Sequence, residues 1–287
     1  MRKGVKNYED WVVQKGVLQS VHFDLTYKCN QDCKHCYLDK KMHGCLLTTR
    51  QVKGIIDDLR AFNVAMLQFS GGELFLRDDV PEILSYAAQK RFVLYLKTNG
   101  TLISPLIAKQ LAKNKFIRRI DVSLLGAKAS THDSITGRVG SFSEALRGIK
   151  LLTTYLPPGN VRILFIPLRE NYKEVGALER RLKQYACSFQ GDFIHILPSF
   201  DVKKDSQSHM LNDFEQYNLL KLNRDRNNLL LSGRYNKYAY VCTVGRSTVS
   251  IDPFGHVHPC TSLTSINWGC CLEKGIKEIW EGRSLKG

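Results

Sequence analysis

Residues 21–37, VHFDLTYKCNQDCKHCY, are the stretch that decides the fold. Apolar and polar side chains alternate as far as Thr26, which is the period of a half-buried β-strand. The strand leads directly into a loop in which cysteines are separated by three and then by two residues: Cys29, Cys33 and Cys36. The stretch therefore predicts a strand whose carboxyl end carries three thiols.

Three thiols on one short loop are suited to a soft metal centre. A cubane iron–sulfur cluster normally takes four thiolates, so three would leave one iron open to a ligand that is not protein. A zinc knuckle is the alternative, with Cys45, His35 or His43 as the fourth ligand. The cysteine spacing alone does not decide between the two.

The composition indicates a globular protein of 287 residues, of which 43% are hydrophobic. Nine clustered cysteines argue for metal sites in a reducing compartment and against a disulfide framework. With no secretory signal and no apolar run of membrane-spanning length, we expect a cytoplasmic protein that does not span a membrane. The net charge of +15 suits an anionic ligand, an acidic peptide or nucleic acid, but the basic residues are spread along the chain, which favours solvated surface charge over nucleic-acid binding.

Strand and helix patterns alternate along the first 200 residues. Thr48 or Thr49 is expected to cap one helix, and Ser104 with Pro105 to open another. The run at 91–97 is nearly all apolar, which predicts a strand buried on both faces. Five strands are predicted after the first, at residues 64–70, 91–97, 116–126, 161–167 and 192–197. This order predicts an α/β fold, a partial (β/α)6 TIM-like barrel with parallel strands.

Distinctive sequences end the first four strands. After the cysteine loop these are Gly71-Gly72-Glu73, the triplet TNG at 98–100, and Ser123. Ligands of such folds collect at the carboxyl ends of the strands, so we expect all four sequences to meet at one rim.

These motifs, together with the run SLLGAKASTHDSITGRVGSF at 123–142, resemble the radical SAM superfamily over about residues 17–200. The resemblance implies that Cys29, Cys33 and Cys36 hold a 4Fe–4S cluster whose open iron binds S-adenosyl-L-methionine. It further implies that one electron, from an external donor such as flavodoxin or ferredoxin, cleaves this cofactor to a 5′-deoxyadenosyl radical that abstracts hydrogen from a substrate.

The resemblance also implies roles at the rim. The Gly71-Gly72 backbone, with Glu73, would approach the methionine group of the cofactor closely, because glycine has no Cβ in the way. Asn99 and Ser123 would lie near its ribose and carboxylate, and Arg138 would pair with the carboxylate. Taken singly, Asn99-Gly100 is also an ordinary turn and Arg138 an exposed charge. Leu74 departs from the proline usual after GGE.

The last part of the chain resembles the SPASM or twitch extension of this family, in truncated form. The match consists of Cys242, Gly255, Cys260 and the sequence GIKEIW ending at Trp280. It implies one auxiliary 4Fe–4S cluster and no second one. Cys270 or Cys271 would be the third ligand, with a slight preference for Cys270. This leaves either an open iron or a fourth ligand from Cys187, Cys45 or substrate. The alternative to an auxiliary cluster is a zinc ribbon. Cys187 is alternatively a small buried hydrophobic residue, or a thiol that donates a hydrogen atom to a radical, as a peptide epimerase would need.

We predict three segments: a radical SAM core at 1–200, a bridging helix or linker at 201–234, and an auxiliary iron–sulfur domain of a β-hairpin and helix at 235–287. Enzymes with this extension mostly modify peptides, so the expected function is maturation of a ribosomally made peptide by crosslinking, thioether formation, epimerisation or oxidation. We expect no sizeable leader-binding module before the first strand. A small-molecule dehydrogenase or cyclase with one auxiliary cluster is the second hypothesis, and a zinc-stabilised nucleic-acid-binding protein the third.

Overall fold

A computed structural model describes residues 8–38, 45–191, 205–222, 242 and 244–283. Its strands form one sheet in the spatial order β6-β5-β4-β3-β2-β1-β7-β8-β9. The strands are β1 (Ser20–Thr26), β2 (Met66–Gly71), β3 (Val93–Thr98), β4 (Ile117–Ser123), β5 (Val161–Phe165), β6 (Ser188–Gly191), β7 (Thr248–Ile251), β8 (His256–His258) and β9 (Gly269–Cys270). From β6 across to β7 all neighbours are parallel, and β8 and β9 are antiparallel.

The helices follow the predicted order. They are α1 (Tyr8–Lys15), α2 (Thr49–Ala61), α3 (Val80–Gln89), α4 (Pro105–Lys113), α5 (Ala129–Thr136), α6 (Ser141–Tyr155), α7 (Val175–Leu182), α8 (Asp213–Leu222) and α9 (Ile276–Gly282). Thr48 caps α2 through a capping box with Gln51, and Ser104 caps α4 with Pro105 in the first turn. Both predicted helix starts are confirmed because each depends only on local hydrogen bonds.

The sheet is parallel and is not closed into a barrel, so the predicted α/β partial barrel is confirmed. The strand predicted at 192–197 lies outside the described residues. The sixth described strand is β6, which ends directly before that segment. Of the predicted bridging segment, the structure describes residues 205–222, which include α8.

The C-terminal strands continue the same sheet. Strand β7 pairs in parallel with β1, with Val21 opposite Val249, and a β7–β8 hairpin follows as predicted. Helix α9 returns to the N-terminal part of the chain, where Trp280 Nε1 donates to the Gly16 carbonyl at 2.8 Å. The Asp58 carboxylate accepts from the Ile276 N–H at the start of α9. The predicted auxiliary segment therefore packs on the core through both its sheet and its helix.

The two faces of the sheet differ in burial. One face packs on the helices and forms the core, including Phe23, Phe69 and Leu96. On the other face of β3, Val93, Tyr95 and Lys97 are only half-buried. The prediction that this strand is buried on both faces is wrong, because among the described residues the helices pack on the other face of the sheet. None of the described helices is long and apolar enough to cross a bilayer.

Candidate active site

The three-cysteine loop follows β1 at the carboxyl end of the sheet. Cys29, Cys33 and Cys36 are each half-buried and free of disulfides. The end of α5 holds the loop, because Asp32 N donates to the Thr136 carbonyl at 2.8 Å and Lys34 N to the Ile135 carbonyl at 2.9 Å. The loop is therefore fixed by backbone hydrogen bonds to a distant helix while its thiols stay accessible.

Glu73 joins the loop after β2 to the loop after β3. It is fully buried, and its carboxylate accepts from Thr98 Oγ1 at 2.7 Å, from Asn99 N at 2.7 Å and from Phe75 N at 3.1 Å. Burial raises the pKa of Glu73, although the hydrogen bonds from Asn99, Thr98 and Phe75 act in the opposite direction. Both carboxylate oxygens are thus used within the protein, which makes Glu73 a positioning residue of the rim.

Asn99 connects the β3 loop to the cysteine loop. Its Nδ2 donates to Asn30 Oδ1 at 2.8 Å and lies 4.0 Å from Cys29 Sγ. Its Oδ1 accepts from Thr101 N and Oγ1, and Asn30 Nδ2 donates to the same Thr101 hydroxyl. Sequence reasoning missed Asn30, whose signal was a polar amide directly after Cys29. Asn99 is therefore more than the turn residue that its dipeptide suggests.

Gly71 and Gly72 lie against the backbone of the β1 loop. A Cβ on Gly71 would come within 2.0 Å of the Thr26 carbonyl oxygen, and one on Gly72 within 2.3 Å of that of Lys28. Gly71 also has a φ of 133°, which disfavours other residues. In the structure the missing Cβ atoms therefore make room for this loop, which is a different use from the predicted approach to the cofactor.

Arg138 and Ser123 lie beside the same rim. Arg138 directly follows Gly137, whose Cβ position would be 2.9 Å from the Asp32 carbonyl oxygen of the cysteine loop. The Arg138 guanidinium is paired with Glu144 at 2.9 Å and remains partly exposed. Ser123 is the last residue of β4 and is half-buried. In this structure one Nη group of Arg138 is thus engaged by Glu144.

Beside the cysteine loop, β1 and the β7–β8 hairpin enclose a cluster of titratable side chains that sequence reasoning missed. Asp24, Tyr27, Tyr37, Asp252 and His258 line this space. Burial raises the pKa values of Tyr27 and Tyr37 far above the ordinary range, and the charge of Asp24 adds to this. Burial also acts to raise the pKa of Asp252, but hydrogen bonds, the first from His258, outweigh it and hold that pKa below its usual value.

The C-terminal cysteines fall into two pairs. Cys242 and Cys260 flank the β7–β8 hairpin, next to the start of β7. Cys270 lies opposite His256 at the other end of the hairpin, where its Sγ is 3.9 Å from the Phe254 carbonyl oxygen. Cys271 packs against the core, and burial raises the pKa of its thiol to about 12. Cys242 and Cys260 thus lie on the segments that enter and leave the hairpin, whereas Cys270 lies close to its turn.

The remaining cysteines lie apart from one another. Cys187 immediately precedes β6, at the opposite edge of the sheet from β9. Cys45 is exposed and lies two residues before Leu47, whose N–H donates to the Pro253 carbonyl in the hairpin turn. Of the two cysteines predicted as a fourth ligand of the auxiliary cluster, Cys45 thus lies on the segment nearer the hairpin. His43 lies outside the described residues.

Within the part of the chain that the structure describes, no three His, Cys, Asp or Glu side chains converge as the ligands of a single metal ion would. A cubane makes a different demand, because each thiolate binds its own iron and the sulfurs need not meet at one point. Three half-buried thiols on one short loop are the soft donor set of an iron–sulfur cluster. The residues of the β1 loop therefore fit a cluster.

Protein-family models match two parts of the chain. The model of the radical SAM superfamily covers residues 24–182, more than half of the chain, and that of the SPASM iron–sulfur cluster-binding domain covers residues 242–286. The first range contains the cysteine loop and the three loops that meet it. The second contains both pairs of C-terminal cysteines.

Individual proteins are similar over most of the chain. The subtilosin biosynthesis protein AlbA of Bacillus subtilis is 28% identical over 83% of this chain and 54% of its own length. An AdoMet-dependent heme synthase of Methanosarcina barkeri is 27% identical over 92% of this chain and 82% of its own. The chain thus spans about half the length of AlbA.

Among solved structures, Streptococcus suis SuiB shares the fold. SuiB bound to S-adenosylmethionine superposes with a TM-score of 0.71 at 14% identity, covering 92% of this chain and 66% of SuiB. SuiB bound to its precursor peptide SuiA superposes with a TM-score of 0.69 at 15% identity, covering 93% and 66%.

Proposed function

Because the chain belongs to the radical SAM superfamily, we propose that it matures a ribosomally synthesised peptide by abstracting a hydrogen atom from it. The modification would be a crosslink, a thioether, an epimerisation or an oxidation. Of these, only epimerisation leaves the oxidation state of the peptide unchanged, so the enzyme would be an oxidoreductase in the other cases. The observation that carries this proposal is the pairing of a radical SAM core with a SPASM domain in one sheet, the fold that SuiB has with its precursor peptide. AlbA, named for subtilosin biosynthesis, adds support.

In this proposal Cys29, Cys33 and Cys36 hold the 4Fe–4S cluster that binds S-adenosylmethionine. The cluster and this cofactor together supply a 5′-deoxyadenosyl radical when bound, as cofactors supply the reactivity in other enzymes. Gly71, Gly72 and Glu73 form one side of the cofactor site.

Asn99, Ser123 and Arg138 complete the cofactor site at the ends of neighbouring elements. The Glu73 carboxylate holds the Asn99 backbone in place by accepting its N–H. The Asn99 side chain in turn holds the cysteine loop in place by donating to Asn30. Arg138 binds the carboxylate of the methionine group while it stays paired with Glu144. These residues orient the cofactor and exclude water; they do not exchange protons with it.

For the auxiliary cluster, Cys242 and Cys260, on the segments that flank the hairpin, would be two of the ligands. Cys270 or Cys271 would be the third ligand, which requires that the cluster draw the two ends of the hairpin together. Cys270 is the preferred candidate, because its Sγ faces the hairpin turn at the Phe254 carbonyl oxygen, 3.9 Å away, whereas Cys271 packs against the core; both thiols are largely buried. Cys45 is a better candidate than Cys187 for a fourth ligand, because its segment is hydrogen-bonded to the hairpin turn.

We infer that a flavodoxin or ferredoxin supplies the electron and that the protein is cytoplasmic. All nine cysteines are free of disulfides, which agrees with a reducing compartment. The segment boundaries at residues 200 and 235 are retained in this proposal, since the two family models end and begin on either side of them.

The test is anaerobic incubation of the cluster-reconstituted protein with S-adenosylmethionine, dithionite and the small peptides encoded beside its gene. We expect 5′-deoxyadenosine together with a change in the mass of one peptide. If 5′-deoxyadenosine forms while every peptide keeps its mass, the peptide assignment is wrong. The second candidate, a small-molecule substrate as in the heme synthase relative, predicts turnover of an iron porphyrin under the same conditions.

A further inference from the structure

The inner face of the sheet carries a cavity of about 310 Å³ that is separate from the rim. It lies nearer the amino ends of the strands, because Ser20 and Met66, the first residues of β1 and β2, line it. Tyr95 and Arg119 form one wall and Cys260 and Thr261 the opposite one. A chain segment that reaches the rim from the open side of the sheet would pass this cavity.

Arg119 is the cation of this cavity. Its Nε donates to Asp121 Oδ1 at 2.9 Å, and its guanidinium lies over the Tyr95 ring, 4.9 Å from the ring centroid. The side chain is 32% exposed, whereas that of Asp121 is 2% exposed. Among the described residues, Arg119 donates its hydrogen bond through Nε. Its two Nη groups are therefore available to a ligand.

Asp121 does not need Arg119 for neutralisation. Arg162 already binds it in a bidentate pair, with Nε at 2.8 Å from Oδ1 and Nη2 at 2.7 Å from Oδ2. Lys97 is the cross-strand neighbour of Asp121 on β3 and shares its face. Two guanidinium groups therefore share one carboxylate. Asp24, on β1 of the same face, is paired with His22 at 2.9 Å.

We propose that Arg119 binds a carboxylate side chain, Asp or Glu, of the peptide substrate; this rests on the proposed function. A guanidinium presents parallel N–H groups that match the two oxygens of a carboxylate. The Tyr95 ring packs against the Arg119 guanidinium and fixes its orientation. Arg119 lies four residues before Ser123 on β4, about 13 Å along the strand. An extended peptide that runs alongside β4 would place the acidic residue about four positions from the modified one.

The test is equilibrium dialysis of reconstituted holoenzyme with S-adenosylmethionine against two blocked hexapeptides of alanine and serine, identical except for a central Glu or Gln. We expect the Glu peptide to be retained about tenfold better, since hydrogen bonds to charged groups are the strong ones. Arg119→Gln should abolish this preference, and Arg119→Lys should keep part of it. Arg118→Gln, an exposed neighbour of the same type, should leave it unchanged.

Folding of each variant is checked by circular dichroism and iron content; Arg119→Gln is expected to fold because Arg162 still pairs with Asp121. Equal retention of both peptides, retention of neither, or a preference that survives Arg119→Gln overturns the proposal. Dialysis requires no turnover, so these outcomes are independent of the mass change and the 5′-deoxyadenosine that decide the proposed function.

Discussion

The buried carboxylate of Glu73 accepts a hydrogen bond from the backbone N–H of Asn99 at 2.7 Å, so the loop after β2 fixes the loop after β3. Asn99 in turn donates to Asn30 in the cysteine loop. Three loops from three strands thus form one hydrogen-bonded unit. The Glu73 N–H also donates to the Lys28 carbonyl at 2.9 Å, directly before Cys29. Substitution of Glu73 should therefore affect the cysteine loop.

Glu73→Gln should lower the free energy of unfolding by about 1–3 kcal/mol, because the new amide N–H groups would face a donor where the carboxylate now accepts. Urea unfolding measures this loss. The control is Glu82→Gln, whose side chain is exposed and paired with Lys53 on the surface, and which should change stability by less than about 0.5 kcal/mol. Equal effects of the two substitutions would contradict the role given to Glu73.

His132 should make stability depend on pH. It is buried, and burial lowers its pKa from 6.5 to about 4. The unfolded chain therefore binds more protons than the folded one between these values, and stability is lost as the pH falls through that window. Between pH 7.5 and 5.0 the loss attributable to His132 should be about 2 kcal/mol.

His132→Asn isolates this contribution, because the Asn oxygen can still accept from the Leu125 N–H, as His132 Nδ1 does at 3.0 Å. The variant will lose packing at every pH, so the informative quantity is the pH dependence of its urea unfolding. We expect a shallower dependence than in wild type. Identical dependences would show that the imidazole does not carry the effect.

Local signals in the sequence predicted much of the core correctly. Thr48 and Ser104 cap their helices by hydrogen bonds within one turn, so a few neighbouring residues determine them. The ends of β1, β2 and β3 could be placed at one rim because parallel strands align their carboxyl ends. What the sequence did not reveal is how the rim is connected, since Glu73 meets Asn99 only after folding.

Long-range pairing explains the other differences. Nothing local in the sequence at Val249 specifies that β7 should pair with β1 at Val21. The inner positions of β3, such as Tyr95, are half-exposed because the described helices pack on the opposite face of the sheet, and an apolar run cannot indicate on which face the helices lie. The separation of Cys260 from Cys270 follows from the antiparallel register of β8 and β9, which spacing along the chain did not disclose.

Substitution of different cysteines should change the iron content of the protein by different amounts. Wild type reconstituted without oxygen should hold about eight iron atoms, and the triple variant Cys29/Cys33/Cys36→Ala about four, with no 5′-deoxyadenosine formed. Cys187→Ser is the control and should keep about eight, because it lies at the far edge of the sheet. Iron and sulfide quantitation with electron paramagnetic resonance measures this. About four atoms in wild type would remove the auxiliary cluster.

Single variants should then identify the auxiliary ligands. Cys242→Ser and Cys260→Ser should each reduce iron to about four atoms per chain. Cys270→Ser should do the same if the cluster draws the hairpin ends together, whereas Cys271→Ser should retain the iron. Full iron content in Cys270→Ser would mean that the separation of Cys270 from Cys260 in the structure persists when the cluster is bound.

The same substitution should have opposite effects at two glycines. In Gly72→Ala the new Cβ would lie 2.3 Å from the Lys28 carbonyl oxygen and 2.7 Å from that of Tyr27, and backbone atoms cannot move aside as a flexible side chain can. Overpacking of this kind costs about 1–3 kcal/mol. In Gly54→Ala, within α2, the Cβ meets nothing within 4 Å, so better helix propensity should stabilise the protein by about 0.5–1 kcal/mol.

Thermal and urea unfolding of both variants measure these changes. Because Gly72 lies against the segment that leads into Cys29, Gly72→Ala should also lower the iron retained after reconstitution, while Gly54→Ala should retain as much as wild type. If Gly72→Ala is as stable as wild type and binds the same iron, then the close approach of the β2 loop to the β1 loop is not what requires glycine at this position.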